Sequence, residues 1–188
     1  MSNMTPREIV HELDKHCRKF ISLSPFLLIA TADANGNMDV SPKGDPPGFV
    51  HVLDDQTLAI PDRPGNKRAD GFIHIIENPR VGLFFMVPGY RETLRVAGSA
   101  QIVRDESLRS KMAIKGKAPA LALVVTMEEA FFHCAKCVIR SGIWQPEEWP
   151  DISEMPSYGQ ITVDQTHWHE TPEEIELQLQ DSYATKLY

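Results

Sequence analysis

The sequence has few of the features that mark secreted or membrane-spanning proteins. Only three of its 188 residues are cysteine, a small, odd number that provides no disulfide framework and suits a reducing compartment. It has no run of about 18 apolar residues, so we expect no transmembrane helix. The first residues, MSNMTPREIVHEL, lack the apolar segment of a signal peptide. These absences predict a cytoplasmic protein with no membrane partner.

Positive charge is also scarce. The net charge is −7, and residues 147–188 account for the whole excess, with ten acidic side chains and one lysine. The rest of the chain carries 16 acidic and 18 basic side chains, so the body is nearly neutral and the tail is acidic. A nucleic-acid-binding protein normally has a basic face, and this sequence has no basic stripe with interleaved aromatic residues. We therefore expect no nucleic-acid partner.

The length and composition fit one soluble domain. Apolar residues make up 42% and charged residues 24% of the chain, as in ordinary globular proteins, and 188 residues suffice for one core. We predict a single domain over residues 1–188. It consists of an N-terminal helix in 1–24, a strand-rich body in 25–145, and an acidic tail in 146–188 that ends in a helix.

Local patterns predict a mainly β, α+β fold. The capping box Thr5-Pro6-Arg7-Glu8 opens a helix, which Ser24-Pro25 ends. Apolar or alternating segments between turn residues predict strands over 26–32, 38–44, 49–53, 57–61, 80–87, 93–103 and most of 120–133. Further helices are predicted over 66–78 and 105–116, for one or two turns in 137–144, and from the capping box at Thr171. Strands in hairpin order with intervening helices indicate an antiparallel β-barrel with helices packed outside.

Two adjacent cations stand at the predicted start of the second helix. The segment 60–72 reads IPDRPGNKRADGF, and with Asn66 as the N-cap, Lys67 and Arg68 fall in the first helical turn. The helix dipole makes each positive charge there unfavourable by about 0.3–1 kcal/mol. A bound anion such as a phosphate would reverse that cost, and Arg63 could add a third contact. The alternative is that the cations are solvated and offset by the aspartates on either side.

Two other segments combine polar residues with strand ends. Ser41-Pro42-Lys43-Gly44 ends one strand, beside a strand that ends in Pro61-Asp62; the simpler interpretation is an ordinary exit loop. In Glu92-Thr93-Leu94-Arg95-Val96, alternation places Thr93 and Arg95 on one face of a strand. That arginine either faces solvent or reaches a ligand laid across the barrel wall.

These pieces together resemble a known family. The segments FLLIATAD, MDVSPKGD, LAIPDRPGNKRADGFIHIIENPRVGLFFMV and ETLRVAGSAQIV are similar to the pyridoxamine 5′-phosphate oxidase-like, FMN-binding split-barrel family, in its flavin-nucleotide-binding branch. The similarity spans roughly residues 20–145. It implies a homodimer of split barrels with one FMN at each end of the interface.

The resemblance also implies which residues bind the cofactor. They are Val40, Ser41, Pro42 and Lys43 along the isoalloxazine edge, Pro61 and Asp62 at the neighbouring strand end, Arg63, Asn66, Lys67 and Arg68 in the phosphate loop, and Thr93 and Arg95 near the subunit boundary. Lys136 and Trp144 follow the last strand in a segment that either reaches the partner's flavin or packs on the dimer. No second C-x-x-C accompanies Cys134 and Cys137, so we predict no metal site.

The function that follows is an FMN-dependent oxidoreductase of unknown substrate, with a small molecule or a nicotinamide electron donor as its reaction partner. We name no catalytic residue, because hydride transfer to flavin needs no protein acid or base. The acidic tail lacks the basic residues with which pyridoxamine phosphate oxidase binds a second phosphate, so that substrate is not expected. The alternatives are a flavin-binding carrier or sensor without turnover, and a deazaflavin or haem in the same groove.

Overall fold

Seven strands in antiparallel pairs form one sheet in a computed structural model, which describes residues 9–65 and 68–188. The strands are β1 (Phe26–Ala32), β2 (Met38–Gly44), β3 (His51–Val52), β4 (Thr57–Pro61), β5 (Arg80–Met86), β6 (Thr93–Val103) and β7 (Ala122–His133). Their order in the sheet is β2-β1-β5-β6-β7-β4-β3. Short turns join β1 to β2, β3 to β4 and β5 to β6, while the β1–β5 and β4–β7 pairs bring together segments that are distant in sequence. The result is a mainly β, α+β fold consistent with a split barrel.

Six α-helices flank the sheet. They are α1 (Lys15–Leu23), α2 (Asp70–Glu77), α3 (Glu106–Lys111), α4 (Lys136–Ser141), α5 (Tyr158–Thr166) and α6 (Pro172–Thr185), with a 3₁₀ turn at Pro146–Glu148. Within the described ranges, no helix has both the length and the apolar character needed to span a bilayer.

The core lies on one face of the sheet. Ile29, Leu83, Val96 and Ala130 stand opposite one another across four strands, and all four side chains are buried. The next row, Leu27, Phe85 and Leu94, is fully buried as well. Directly opposed residues point to the same side of an antiparallel sheet, so these rows form a continuous apolar layer. Helices α1 and α2 add Phe20, Ile21 and Ile75 to it.

Local sequence patterns predicted the first and last residues of most strands correctly. The bounds of β1, β2, β4 and β6 are those predicted, and β5 and β7 differ by one or two residues. Strand β3 is shorter than the predicted 49–53, because the buried side chains of Phe49 and Val50 pack into the core before the ladder with β4 begins. Helix α3 ends at Lys111 instead of 116, ahead of a turn with positive φ at Lys115 and Gly116.

The predicted N-terminal helix begins later than its sequence indicates. The capping box at Thr5 lies outside the described residues, but the helix does not extend through 9–14. Val10 exchanges two backbone hydrogen bonds of 2.9 Å with Ala130 of β7, so this segment pairs with the sheet. The Asp14 side chain then accepts hydrogen bonds from the backbone N–H groups of His16 and Cys17, and thereby starts α1.

The acidic tail contains two helices, of which one was predicted. Helix α6 begins with the expected capping box, in which Thr171 and Glu174 bond each other's backbone N–H groups. Helix α5 was missed. It packs closely on α6 at Gly159, whose backbone N–H donates to Glu176 at 2.6 Å. The three-part division of the domain stays a prediction.

Position 98 in β6 requires glycine, because the backbone of β7 lies too close for a side chain. The register of the two strands shifts between Ala97 and Gly98, and a Cβ atom at Gly98 would lie 2.1 Å from the Thr126 carbonyl oxygen. We expect Gly98→Ala to lower the free energy of unfolding by about 1–3 kcal/mol, because the backbone must move. Urea denaturation measures the change.

Gly82 of β5 is the matched control. A Cβ atom there would lie 3.9 Å from the Ala30 side chain, an ordinary contact. Gly82→Ala should be neutral or slightly stabilising. Equal losses from the two substitutions would show that the β6–β7 approach is looser than the structure has it.

Candidate functional site

A buried ion pair joins the exits of two strands that lie far apart in the sheet order. Asp45 follows β2 at one end of the sheet, and Arg63 follows β4, second from the other end. The Arg63 Nε donates to Asp45 Oδ2 at 2.6 Å, with side-chain exposures of 15% and 1%. The pair therefore holds the two ends of the sheet together on this side, as a barrel requires.

Arg63 is anchored on a second side as well. One of its Nη atoms donates to the carbonyl oxygen of Met112 at 2.7 Å, at the end of α3. The sequence predicted Arg63 as an additional phosphate contact. The structure shows that its guanidinium also fixes the start of the loop 62–69 to β2 and α3.

Lys43 lies near enough to Asp62 for its charge to act on the Asp62 carboxyl. Burial raises the pKa of the Asp62 carboxyl above its usual value of 3.8, and the positive charge of Lys43 opposes that rise. The Asp62 N–H donates to the Leu121 carbonyl at 3.0 Å, and Pro61 is the last residue of β4 to pair with β7. The structure therefore brings the two predicted strand ends together.

The far end of the loop 62–69 reaches the other end of β2. Arg68 donates to Asp70 at 2.7 Å, and the negative charge of Asp39 in β2 adds to the rise in the pKa of Arg68 that Asp70 causes. A Cβ atom at Gly71 would lie 3.7 Å from an Asp39 carboxylate oxygen. Arg68 and Gly71 therefore lie near Asp39, whereas Asp62 and Arg63 lie near the other end of β2.

The predicted helix start is wrong by four residues. Helix α2 begins at Asp70, and its N-cap is Ala69, without a side-chain hydrogen bond; Asn66 is therefore not the cap. Arg68 precedes the first turn, and Asp70 supplies in that turn the negative charge that the helix dipole favours. Asn66 and Lys67 themselves lie outside the described residues, so their predicted contacts with phosphate stay predictions.

The edge of β2 is open in the described part of the chain, where β1 is its one ladder partner. Side-chain exposure alternates along it: Val40 and Pro42 are exposed, while Ser41 and Lys43 are half-buried. An open edge presents backbone N–H and C=O groups, which suit the polar rim of a planar heterocycle. The predicted isoalloxazine strand therefore has the right chemistry for that role.

The β2 edge and the residues near it, Lys43, Asp45, Asp62, Arg63 and Arg68, form the first group of candidate-site residues. The β6 residues form a second group. Leu94 and Val96 are buried in the core, so Thr93 and Arg95 lie on the opposite face, as alternation predicted. Thr93 is 2% exposed, yet its hydroxyl has no hydrogen-bond partner among residues 9–65 and 68–188, which is rare for a buried polar atom. The Arg95 guanidinium lies over the Phe131 ring, 5.3 Å from its centroid.

Lys136 and Trp144 belong to this second group. Thr93 pairs with His133 at the end of β7, and α4 begins three residues later at the exposed Lys136. The Trp144 Nε1 donates to the Tyr90 carbonyl at 2.9 Å, and the ring lines a cavity of about 350 Å³ between α4 and the β5–β6 turn.

One chain does not bring the two groups together. Strands β2 and β6 are separated by β1 and β5, and neighbouring strands lie about 4.8 Å apart. The β2 edge and the Thr93 side chain are therefore about 14 Å apart along the sheet. The two groups are therefore separate regions of one chain.

A groove of about 490 Å³ adjoins the first group. Residues 62–64, residues 117–120 and Tyr188 line it. Burial lowers the pKa of the nearby His51, and the positive charges of Arg63 and Lys111 lower it further, which indicates a positive field. Sequence reasoning missed Asp45, Lys117 and Tyr188. Asp45 directly follows the Ser41–Gly44 motif, whereas nothing local marks Tyr188.

The cysteines of the C-x-x-C segment are free. Cys134 and Cys137 are both exposed. Within residues 9–65 and 68–188, no cluster of three or more histidine, cysteine, aspartate or glutamate side chains is placed to hold a metal ion.

Comparison with known proteins gives one family and several related folds. Residues 13–134 match the family described as pyridoxamine 5′-phosphate oxidase. A candidate pyridoxamine 5′-phosphate oxidase from Lactobacillus delbrueckii is 25% identical, with a TM-score of 0.50 over 65% of this chain and 95% of the other. HupZ from Group A Streptococcus, 18% identical, has a TM-score of 0.53 over 64% and 99% and shows the fold alone. No curated protein matches significantly.

The Asp45–Arg63 pair should contribute strongly to stability. We expect Asp45→Ala to lower the free energy of unfolding by about 3 kcal/mol, because it leaves a largely buried guanidinium without its counter-charge. Asp55→Ala removes the carboxylate of the exposed pair with Arg18 and should cost less than about 1 kcal/mol. Equal effects in chemical denaturation would mean that the Asp45 pair is solvated.

Asp62 should make stability depend on pH. Its pKa is raised in the folded protein, so the protonated form favours folding, and this contribution is lost as the pH rises from 3.8 through the raised value. Asn resembles the protonated carboxyl, so Asp62→Asn should gain stability relative to the wild type as the pH rises toward neutrality. Denaturation midpoints measured across that range check the sign.

Asp54 provides a control of opposite sign. The Gln56 backbone N–H lowers the pKa of its carboxyl, so Asp54→Asn should lose stability relative to the wild type as the pH rises. If Asp62→Asn behaved like Asp54→Asn, the cations around Asp62 would outweigh its burial.

Proposed function

Because the chain belongs to the pyridoxamine 5′-phosphate oxidase family, we propose that it binds FMN and acts as an FMN-dependent oxidoreductase. The observation that carries the proposal is the edge of β2, which has Lys43 and Arg63 near one end and Arg68 near the other. A phosphate needs cationic and N–H donors, and a flavin ring needs a polar edge. The first group offers both along one line.

The residues present fit FMN. Arg68, with Lys67 from the sequence, would bind the phosphate, Arg63 would hold the start of that loop, and the backbone of Val40–Lys43, next to Pro61 and Asp62, would form the ring edge. When bound, FMN supplies the redox chemistry, because its ring accepts or gives the hydride. The protein binds and orients it and sets the local charge. The proximity of Lys43 to the ring edge would favour an anionic reduced flavin.

We also propose that two copies complete each site. Thr93, Arg95, Lys136 and Trp144 are too far from the β2 edge in one chain, so they would serve the flavin of the partner subunit. The buried Thr93 hydroxyl lacks a partner, and a ligand at the interface would provide one. The outer sheet face also presents apolar side chains to solvent, including Phe26 at 37% and Val40 at 55% exposure. Such a face is typical of an interface.

The visible absorption spectrum and the rate of reduction test the proposal. We expect flavin bands in the purified protein, and anaerobic reduction by NADH or NADPH faster than that of free flavin. Flavin bands without faster reduction would instead support a carrier or sensor. A Soret band would show that the bound group is haem and not FMN. A protein that stays colourless after incubation with FMN would overturn the proposal.

Charge reversal in the loop tests the phosphate assignment. We expect the double variant Lys67→Glu, Arg68→Glu to lose FMN binding while it stays folded, because two attractive charges become repulsive. Flavin fluorescence titration measures the loss, and circular dichroism checks the fold.

The matched control is Lys15→Glu with Lys19→Glu. Both lysines are exposed on α1, and the double variant changes the net charge by the same amount. Its FMN affinity should stay within about twofold of the wild type, since surface charges beyond a Debye length of about 8 Å are screened. Equal losses in both variants would assign the effect to net charge.

A further inference from the structure

Tyr188 lies where three loops of the body meet. Its hydroxyl donates to Asp45 Oδ1 at 2.8 Å, after β2. Its main-chain oxygen accepts a hydrogen bond of 2.8 Å from the Lys117 Nζ, in the turn after α3. The Arg63 guanidinium carbon and the Lys115 Nζ lie 5.8 and 5.5 Å from the centroid of its ring. Tyr188 thus lies near two cations through its ring, contacts one carboxylate through its hydroxyl, and accepts one lysine hydrogen bond through its backbone oxygen.

The Tyr188 hydroxyl extends the buried ion pair into a chain of three groups. Asp45 accepts from Tyr188 through Oδ1 and from Arg63 through Oδ2, so each carboxylate oxygen has its own donor. The Asp45 side chain is 1% exposed, and hydrogen bonds to charged, buried acceptors are stronger than neutral ones. The tyrosine therefore helps to fix the orientation of the carboxylate that holds Arg63.

These contacts reach the loop that carries the phosphate-binding cations. Arg63 stands at the start of the loop 62–69, and its guanidinium bonds Asp45 and Met112. The ring of Tyr188 covers that guanidinium, and Tyr188 also forms part of the wall of the 490 Å³ groove with residues 62–64. A change at Tyr188 is thus transmitted through Asp45 to the beginning of the loop.

We propose that Tyr188 is a positioning residue of the flavin-phosphate loop, acting through Asp45 on Arg63. This inference rests on the proposed function. It gives the segment after α6 a role in the site, because that segment supplies a hydroxyl donor and an aromatic face.

The affinities for FMN and for riboflavin together test the proposal. Riboflavin has the same ring system without the phosphate, so it detects general damage to the site. We expect Tyr188→Phe to weaken FMN binding about three- to tenfold, the range for residues that act through a neighbour, and to leave riboflavin binding unchanged. Tyr188→Ala, which also removes the ring, should weaken FMN binding further.

Two controls sharpen the experiment. Tyr183, on α6 five residues before Tyr188 and 63% exposed, is the control position, and Tyr183→Phe should leave both affinities unchanged. In an Asp45→Asn background, Tyr188→Phe should add little further loss of FMN affinity, because the substitution has already removed the carboxylate through which Tyr188 acts.

The outcomes separate the two hypotheses. If the wild type binds FMN more tightly than riboflavin and Tyr188→Phe keeps that ratio, the positioning role is wrong and the proposed function stands. Equal losses for both ligands would reduce Tyr188 to a structural contact and overturn the proposal. If the wild type binds neither flavin, the proposed function fails, and the role of Tyr188 fails with it.

Discussion

The pairing of Asp45 with Arg63 is the interaction on which the candidate site depends. Two charges leave water almost completely, and such burial is costly unless each charge has a partner. The pair forms only when the exit of β2 meets the exit of β4, so it couples the closure of the sheet to the start of the loop 62–69. The position of Lys43 near Asp62 follows from that meeting.

The fold was predictable wherever its causes are local. Alternation and turn residues gave the bounds of β1, β2, β4 and β6, because both depend on neighbours in sequence. The N-terminal helix was misjudged because the pairing of Val10 with Ala130 spans most of the chain. Helix α5 was missed for a related reason: it packs on α6 through Gly159, and its own apolar pattern is weak.

The same division holds within the site. Motifs predicted Lys43, Asp62, Arg63 and Arg68 as cofactor contacts, and the structure places the first three near one end of β2 and Arg68 near Asp39 toward its other end. Alternation placed Thr93 and Arg95 on the correct face of β6. Tyr188 could not be found from the sequence, since its hydroxyl meets a carboxylate 143 residues away and no motif links the two.

The correction at α2 changes the physical basis for an anion site. Arg68 lies just before the N-cap of α2, and Asp70 offsets its charge directly. Lys43 and Arg63 likewise have Asp62 and Asp45 beside them. What favours an anion is instead an excess of positive charge in this region. Lys111, Lys115 and Lys117 add to Lys43, Arg63 and Arg68, so the cations outnumber their acidic partners. A phosphate would bind to that excess, and the acidic partners would keep the cations in place before it arrives.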